Sequence, residues 1–342
     1  MATKIWILSL ESVPTRYTGQ WYTHIPALLQ DNGFDVVSVD GDMGMVESTP
    51  GAFLNFAETN IWKSQQAIKI IQLINSGEVK DDDVILVTDG WNPVVLMLRY
   101  IKDLLGKKFK IVSLWHAGSY IAEDPLGQKM DKRWSYPTEA AMFNAVDLNV
   151  FASKSHISQF NDVMWATATK DKFFRSGFPM EYIENIEFKS IPKDNCIVFP
   201  HRVSPEKHVE VFDALADMLP QYEFIVPQRH NMGKHEYHST LARSKVMFSA
   251  ADLETLGICQ YEALWANCLP LVPNHLSYAE MYTDDTFRYK RNTMNNIKYL
   301  ATRIVDMVEN YDAYQVKIQQ AKEFQRENYF SATLLINRLK EL

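Results

Sequence analysis

Short apolar runs alternate with amphipathic stretches throughout the first half of this chain. A parallel β-sheet needs a crossover after each strand, usually a helix, so this alternation predicts a parallel α/β sheet. The predicted strands are Lys4 to Leu10, Asp35 to Val39, Val84 to Thr88, Lys110 to Trp115 and Leu148 to Ala152. The predicted helices are Gln20 to Asn32, Trp62 to Asn75, Pro93 to Leu105 and Thr138 to Ala145.

The same alternation begins again in the second half, with a predicted strand over Cys196 to Phe199. A chain of 342 residues is long enough for two domains with separate cores. We therefore predict one domain over residues 1–178 and a second over residues 179–325. Residues 326–342 are predicted to form a terminal helix, whose apolar positions are Leu334, Leu335, Ile336 and Leu339.

The composition excludes several classes of protein. A hydrophobic content of 46% with 23% charged residues is typical of a soluble globular protein. The chain has no long apolar run and opens directly on a strand, so we expect a cytoplasmic protein with no integral membrane association. The net charge of −7 argues against a protein that coats nucleic acid nonspecifically, although it allows a local basic surface. The cysteines lack metal-ligand spacing, so we expect reduced thiols and no bound metal.

Two acids, Glu254 and Glu262, flank a glycine at position 257 in the second half. A helix is predicted over Tyr261 to Ala266, and a buried strand over Leu269 to Val272. A helix that begins near Gly257 directs free backbone N–H groups and its positive dipole end at the preceding loop, which suits a phosphate group. Glu262 is then placed to accept paired hydrogen bonds from a ribose diol.

Two cations, Arg202 and Lys207, follow the predicted strand over Cys196 to Phe199. Cations at the carboxyl end of a strand can neutralise a diphosphate leaving group. Arginine does so through a planar fork and lysine as a point charge. The sequence therefore predicts a diphosphate site built from these cations and the helix near Gly257.

An Arg-x4-Lys element, followed about fifty residues later by Glu-x7-Glu with Glu-Ala-Leu at the second acid, resembles the donor half of GT-B retaining glycosyltransferases of the family 4 type. The resemblance implies two Rossmann-like domains that face one another across a cleft, with a last helix crossing back to the first domain. It implies no cofactor and no obligatory metal, because a nucleoside diphosphate sugar, expected to be UDP-linked, is the substrate. The sequence departs from the family at His201 and Asn267, where glycine is usual or frequent.

The resemblance also assigns roles to individual residues. It implies that Arg202 and Lys207 hold the donor diphosphate, that Glu254 contacts the sugar and that Glu262 binds the ribose. We place Leu256 and Gly257 with the donor-binding residues, on the loop that precedes the helix. Since no protein nucleophile is evident, the implied retention of configuration fits a same-face attack assisted by the leaving phosphate.

Strand ends of the first half supply further candidates, because open parallel sheets bind ligands at the carboxyl ends of their strands. His116 follows the strand that ends at Trp115, and the resemblance implies a contact with the donor sugar; the alternative is a loop hydrogen bond. Asp89 ends the preceding strand and is a candidate for acceptor binding. Gly19 lies before a predicted helix and suits either a donor phosphate or a simple turn, and Arg16 is a candidate anion contact for the acceptor.

The acceptor is the least specified part of the prediction. The loop from Gly127 to Tyr136 combines two aromatic side chains with Lys129, Lys132 and Arg133, a mixture that suits phosphates and unstacked bases or, alternatively, a solvated surface. The opening from Glu11 to Trp21 is similar to phage-encoded glycosyltransferases, some of which glycosylate hydroxymethylated pyrimidines in phage DNA. We therefore consider double-stranded DNA that carries such bases as the acceptor, in the host cytoplasm, with the target base flipped out of the duplex.

Two alternatives remain open. The acceptor is a lipid or surface glycan if the basic and apolar segment from Arg99 to Ile111 lies on an anionic membrane. The second alternative is a noncatalytic protein that binds a nucleotide sugar without transferring or hydrolysing it.

Overall fold

The structure is a computed structural model that describes residues 3–14, 16–42, 55–164, 170–188 and 191–342. The chain forms two compact units, Met1–Met180 with Ala332–Leu342, and Glu181–Ser331. Each unit contains one sheet whose described strands pair in parallel. The predicted α/β class is therefore confirmed. The predicted borders after residues 178 and 325 differ from the observed divisions after residues 180 and 331.

The sheet of the first unit has six strands in the order β2-β1-β3-β4-β5-β6. The strands are β1 Lys4–Leu8, β2 Asp35–Ser38, β3 Val84–Val87, β4 Lys110–Trp115, β5 Leu148–Phe151 and β6 Phe173–Arg175. The helices are α1 Tyr17–Asp31, α2 Phe56–Asn75, α3 Val94–Leu105, α4 Pro125–Lys129, α5 Lys132–Ala145, α6 Lys154–Met164 and, at the end of the chain, α13 Thr333–Lys340. Short 3-10 helices cover Lys170–Lys172 and, in the second unit, Glu181–Asn185.

The order of these strands determines where a ligand can bind in the first unit. Strand β1 has β2 on one side and β3 on the other, so the order of the strands reverses there. Strands β3 and β5 are buried along their whole length, which explains their nearly continuous apolar sequences. The chain leaves β3 at Thr88 and Asp89 and leaves β4 at His116, and such strand ends near a reversal of strand order are the usual ligand sites of open α/β sheets.

The second unit contains a five-stranded sheet in the order β11-β10-β9-β7-β8. The strands are β7 Asp194–Val198, β8 Glu223–Ile225, β9 Ser244–Phe248, β10 Leu269–Pro273 and β11 Arg288–Tyr289. The helices are α7 Val209–Met218, α8 Lys234–Arg243, α9 Ile258–Trp265, α10 Tyr278–Met281, α11 Ile297–Glu309 and α12 Gln315–Asn328. Short 3-10 helices cover Pro205–Lys207, Pro227–His230, Arg291–Thr293 and Tyr311–Tyr314.

Three local predictions were wrong. The stretch predicted as a basic loop over residues 127–136 contains the end of α4 and the start of α5, and the Asp131 side chain caps α5 by accepting the Arg133 N–H. Pro137 lies inside α5, which accounts for the late start that was predicted for this helix. The predicted terminal helix over residues 326–342 is interrupted, since α12 ends at Asn328 and α13 begins at Thr333.

Candidate functional site

The turn that precedes α9 is held in place by the Glu254 side chain. Gly257 caps α9 with φ 81°, in the left-handed region that glycine adopts without strain. Its N–H donates to Glu254 Oε1 at 2.9 Å. A Cβ atom at Gly257 would lie 2.8 Å from the ring of Tyr278, so both the backbone conformation and the available space require glycine. The adjacent Leu256 is buried and anchors the same turn.

Lys207 contacts the other oxygen of the same carboxylate. Its Nζ lies 3.2 Å from Glu254 Oε2 and also donates to the Leu253 carbonyl. The two side chains are only 10% and 16% exposed, so solvent screens their attraction weakly. Tyr278 Oη donates to Glu254 Oε2 at 3.5 Å. The structure therefore brings Lys207, Glu254 and Gly257 together in one arrangement at the start of α9.

Arg202 is paired with an acid that sequence reasoning missed. Its Nη2 lies 2.6 Å and its Nε 3.2 Å from Glu206 Oε1, and Ser204 Oγ donates to the same oxygen at 2.7 Å. Burial acts to raise the pKa of Glu206, but the hydrogen bonds from Ser204 and Arg202 outweigh it and hold that pKa below its ordinary value. A diphosphate would have to share the Arg202 guanidinium with Glu206.

Glu262 projects from α9 toward α8. Tyr237 Oη donates to Glu262 Oε2 at 2.9 Å, and His238 Nε2 lies 3.7 Å from Oε1. Burial raises the pKa of Tyr237, and the negative charge of Glu262 adds to this effect. Tyr237 and His238 come from a different helix, and no local motif in the sequence links them to Glu262.

One group among the described residues offers ligand atoms for a metal ion. His201, Glu254 and Cys259 place one such atom each within 4.8 Å of one another, and His201 Nδ1 lies 3.4 Å from Cys259 Sγ. Burial lowers the pKa of His201, with a contribution from Lys207, and burial raises the pKa of Cys259. The Lys207 ammonium group beside Glu254 already supplies the positive charge that a metal ion would bring to this group. His201, where the resembling family usually has glycine, contacts the first turn of α9 through Cys259.

Asp89 forms a largely buried ion pair at the end of β3. Lys63 Nζ lies 2.6 Å from Asp89 Oδ2, and the side chains are 11% and 13% exposed. Lys63 also donates to the Trp91 carbonyl at 2.7 Å, and the Trp91 N–H donates to Asp89 Oδ1 at 3.0 Å. Burial acts to raise the pKa of Asp89, but Lys63 and His116 outweigh it and lower the pKa. Asp89 is therefore a carboxylate that accepts hydrogen bonds at neutral pH.

His116 is fixed by two hydrogen bonds within the first unit. Its Nε2 lies 2.7 Å from the Thr88 carbonyl oxygen, and Tyr17 Oη lies 3.0 Å from its Nδ1. A carbonyl only accepts, so Nε2 carries the hydrogen and Nδ1 accepts from Tyr17. Desolvation lowers the pKa of His116, which keeps the ring neutral. Contact with a donor sugar through these nitrogens would require one of the two bonds to be exchanged.

A cavity of about 350 Å³ opens beside these residues in the first unit. Its lining combines Asp89 and His116 with aromatic side chains, one of which, Trp134, belongs to the segment predicted to bind the acceptor. The lining residues are Phe56, Thr59, Asn60, Lys63, Asp89, Trp91, His116, Ala117, Pro125, Leu126, Lys129, Met130 and Trp134.

The three basic residues predicted to bind the acceptor make different contacts in the structure. Lys129 lines the cavity. Lys132 instead holds the α4–α5 region together, because its Nζ donates to the carbonyls of Ser119 at 2.5 Å and Gly127 at 2.6 Å. The Arg133 side chain is 90% exposed and pairs with Asp131 at 2.5 Å.

Gly19 and Arg16 lie at the start of α1. The helix begins at Tyr17, so Gly19 is inside its first turn and does not precede the helix as predicted. A Cβ at Gly19 would lie 2.7 Å from the Val13 carbonyl oxygen, so close backbone packing already accounts for this glycine. Arg16 occupies the N-cap position of α1, with an extended backbone and no side-chain capping bond.

No protein-family model matches the chain. Solved structures are similar in fold at low sequence identity. Sucrose-phosphate synthase from Thermosynechococcus elongatus matches with a TM-score of 0.69 at 12% identity, over 100% of this chain and 98% of that one. The catalytic domain of starch synthase IV from Arabidopsis thaliana, bound to ADP and acarbose, matches with a TM-score of 0.63 at 11% identity, over 99% and 98%. WaaG, a glycosyltransferase involved in lipopolysaccharide biosynthesis, matches with a TM-score of 0.62 at 12% identity, over 99% of both chains.

These matches confirm the predicted GT-B fold class. The chain spans only 55% of the length of another structural relative, TarM, at a TM-score of 0.54, 13% identity and 76% coverage of this chain. By sequence, 69 residues are 30% identical to the tRNA-queuosine alpha-mannosyltransferase of Drosophila melanogaster, which is 20% of this chain and 18% of that protein. No helix among the described residues has the length and apolar content needed to cross a bilayer.

Proposed function

We propose that this protein is a glycosyltransferase that moves a sugar from a nucleoside diphosphate sugar to a hydroxyl group. The arrangement of Lys207, Glu254 and Gly257 at the start of α9 carries the proposal. It supplies a weakly solvated cation and a fixed helix N-terminus at one place, which is what a diphosphate requires. The presence of ADP in the starch synthase structure, and of UDP in the similar HepE structure from Anabaena, supports this reading.

In this reaction the bond between the anomeric carbon and the diphosphate oxygen breaks, and the diphosphate leaves with its negative charge. Lys207 and Arg202 stabilise that charge, together with the backbone N–H groups at the start of α9. Glu254 positions Lys207 and the Gly257 turn, and contacts the sugar. Glu262 accepts hydrogen bonds from the ribose, exchanging the Tyr237 hydroxyl for a ribose hydroxyl or sharing the carboxylate with it.

We propose retention of anomeric configuration. The acceptor hydroxyl attacks the face from which the diphosphate leaves, its oxygen bonds to the anomeric carbon, and its proton passes to the departing phosphate oxygen. This route requires no carboxylate nucleophile. It fits Glu254, whose two oxygens already accept from the Gly257 N–H and from Lys207.

For the acceptor we propose a hydroxymethylated pyrimidine in phage DNA. The Drosophila relative supports a nucleic-acid acceptor, since its name describes transfer of a sugar to a modified nucleoside of tRNA. The exposed cations Lys129 and Arg133 near the cavity supply charge for phosphates that flank a flipped base.

A lipid or glycan acceptor is the second candidate. Apolar side chains on α3 are exposed, including Tyr100 at 68%, Leu104 at 66% and Leu105 at 62%. Lys107 and Lys108 follow the helix directly, a combination that suits an anionic bilayer surface. Flotation with anionic liposomes separates the candidates, because an enzyme that acts on DNA has no need to bind vesicles.

The test is mass spectrometry of DNA that contains hydroxymethylcytosine or hydroxymethyluracil after incubation with a panel of nucleotide sugars. We expect a pentose or hexose mass shift that Glu254→Gln abolishes and Glu236→Gln preserves, since Glu236 is an exposed acid on α8 of the same unit. NMR of the glycosylated nucleoside then reports the anomeric configuration. Donor hydrolysis without any mass shift would reject the DNA acceptor, and neither hydrolysis nor transfer with any donor would reject the glycosyltransferase.

A further inference from the structure

The cavity of the first unit has walls and a floor of different chemistry. Its walls are largely apolar and include Phe56, Trp91, Leu126, Met130 and Trp134. Its polar side chains include the Asp89 carboxylate with its partner Lys63. A concave site with mainly apolar walls and a few fixed polar groups is typical of small-ligand binding, and about 350 Å³ is enough for one nucleoside-sized group.

The two tryptophans of the aromatic wall differ, since Trp91 is held by hydrogen bonds and Trp134 is half-exposed. Trp91 Nε1 donates to Glu139 Oε1 at 2.5 Å, and Glu139 also accepts from Ser119 Oγ at 2.7 Å, so the Trp91 indole is held in place. Trp134 meets Trp91 edge to face, with ring centroids 6.2 Å apart at 86°. Trp134 is nevertheless 50% exposed, which leaves ring surface for a ligand.

The Lys63–Asp89 pair gives the cavity a carboxylate that can accept a hydrogen bond from a ligand. Asp89 accepts from the Trp91 N–H and pairs with Lys63, and its lowered pKa keeps it ionised. A carboxylate has about four lone-pair positions, so two protein partners leave capacity for a ligand O–H or N–H. An apolar ring without such a donor would leave this charge less well solvated and would bind more weakly.

We propose that this cavity binds the acceptor's heterocyclic ring: a pyrimidine base stacked on Trp134, with an exocyclic hydroxyl or amino group donating to Asp89. The proposal rests on the glycosyltransferase function and adds the site that receives the acceptor. A flat base buries both faces against apolar walls and needs few polar partners. The lining also includes Thr59, Asn60, His116 and Lys129. A sugar ring, with hydroxyls around its whole rim, presents less apolar surface to the aromatic walls than a flat base does.

The cavity rim is consistent with a base that remains attached to its strand. Lys129 lines the cavity, and the guanidinium of Arg133 is exposed beside Trp134 in the sequence. Lys129 can meet a phosphate beside the extruded nucleotide, whereas Arg133 would have to share its guanidinium between a phosphate and Asp131. Asp89 and Trp134 are positioning residues in this account, because they orient the hydroxymethyl group and do not exchange a proton with the donor.

The test measures binding separately from transfer. The probes are 5-hydroxymethyl-2′-deoxycytidine 5′-monophosphate, 2′-deoxycytidine 5′-monophosphate and maltose, each titrated into the full chain and followed by saturation-transfer NMR and tryptophan fluorescence. We expect the hydroxymethylated nucleotide to bind best. Trp134→Ala should weaken it about tenfold, as expected for loss of one base–aromatic stack. Trp134→Phe should retain most of the binding.

Two further variants test whether the effect is specific to the cavity and whether the Asp89 carboxylate recognises the hydroxymethyl group. Ile68→Ala removes an exposed apolar side chain of the same unit, on α2 and outside the cavity lining, and should leave binding unchanged. Asp89→Asn should lower the affinity for the hydroxymethylated nucleotide more than the affinity for the unmodified one. The preference between the two nucleotides should therefore shrink.

The outcomes separate this proposal from the function on which it rests. Absence of nucleotide binding while a nucleotide sugar is still hydrolysed would overturn the cavity assignment and leave the glycosyltransferase intact. Tryptophan-dependent binding of maltose in place of the nucleotide would overturn it in favour of a glycan acceptor. Nucleotide binding lost in Trp134→Ala, with no hydrolysis of any donor, would support the cavity and reject the glycosyltransferase.

Discussion

The turn before α9 and the cavity of the first unit each contain a lysine–carboxylate pair, but the surroundings of the two pairs differ. At the turn, Lys207, Glu254 and the Gly257 N–H satisfy one another and leave little freedom. In the cavity, Lys63 and Asp89 are equally fixed, but the adjoining wall ends in the half-exposed ring of Trp134. Tertiary folding assembles both places, since Lys207 and Glu254 are 47 residues apart. The comparison teaches that the turn joins two short motifs that are visible in the sequence, whereas the cavity joins side chains that no motif links.

The largest expected effect is on the rate of transfer. Replacing Lys207 by Met should lower the rate of donor turnover by about 10²- to 10³-fold, because one preorganised charge that stabilises the leaving group is lost. The matched control is Lys193→Met in the same unit, where the ammonium donates to the carbonyls of Ser244 at 2.8 Å and Ala266 at 2.7 Å. The control should lower thermal stability but keep donor turnover. Equal losses of turnover in the two folded variants would show that Lys207 is structural.

The second prediction concerns the ion pair below the cavity. Lys63→Met should reduce the free energy of unfolding by about 3 kcal/mol at neutral pH, because it leaves the buried Asp89 carboxylate unpaired. Lys4→Met breaks the more exposed Lys4–Asp35 pair and should cost less than about 1 kcal/mol. Urea unfolding of both variants against the wild type measures the difference.

The pH dependence of that difference has a definite sign. Because the folded-state pKa of Asp89 is lowered, the stability contributed by its ionised form is present above the unfolded value near pH 4 and is lost as pH falls through the folded value. The stability gap between wild type and Lys63→Met should therefore be full above about pH 5 and should narrow in acid as Asp89 becomes protonated. A gap that widens as pH falls would contradict the assignment.

The third prediction tests the rigidity of the turn. Gly257→Ala should destabilise the protein by about 1–3 kcal/mol, since alanine must adopt φ 81° and its Cβ would approach Tyr278. Gly233→Ala is the control, because Gly233 precedes α8 with φ −68° and no heavy atom lies within 4 Å of a Cβ built there. Thermal unfolding should separate them. Similar melting temperatures for Gly257→Ala and Gly233→Ala would mean that the turn adapts to a side chain and is not rigid.

The smallest expected effect is at Arg133, which precedes the cavity residue Trp134 in the sequence. Arg133→Ala should leave the melting temperature unchanged, because the side chain is 90% exposed and pairs with Asp131 at the surface. If it meets a DNA phosphate, affinity for hydroxymethylated DNA should fall a few-fold at low salt and the salt dependence should become shallower. Lys132→Ala should instead lower stability, because Lys132 donates to two carbonyls. Loss of stability in Arg133→Ala, with loss of DNA affinity alone in Lys132→Ala, would mean that Lys132 meets the phosphate and Arg133 is structural.

The periodicity of the sequence was sufficient for the fold and for the strand ends. Buried strands read as apolar runs, so the positions of Asp89 and His116 just beyond β3 and β4 could be predicted. The helix that begins after Gly257 could be predicted for a similar reason, since its residues are local in sequence. These features depend on spacing along the chain more than on distant contacts.

The partners of those residues could not be predicted in the same way. Lys63 reaches Asp89 from α2, and Tyr237 reaches Glu262 from α8, and neither pairing leaves a local pattern. Gly19 was predicted to lie before a helix, in either a phosphate loop or a turn, but α1 already begins at Tyr17 and a Cβ at Gly19 would meet the Val13 carbonyl. Glu206 was the exception that a closer reading could have found, since it lies four residues after Arg202, a spacing typical of ion pairs.

The most direct test of the central claim is a calorimetric comparison of UDP and UMP binding to the wild type and to Lys207→Met. A diphosphate site at the start of α9 predicts that the wild type binds UDP more tightly than UMP, and that Lys207→Met removes most of this difference while UMP binding changes little. Equal affinity of the wild type for UDP and UMP, or a preference for UDP that survives in Lys207→Met, would contradict the account.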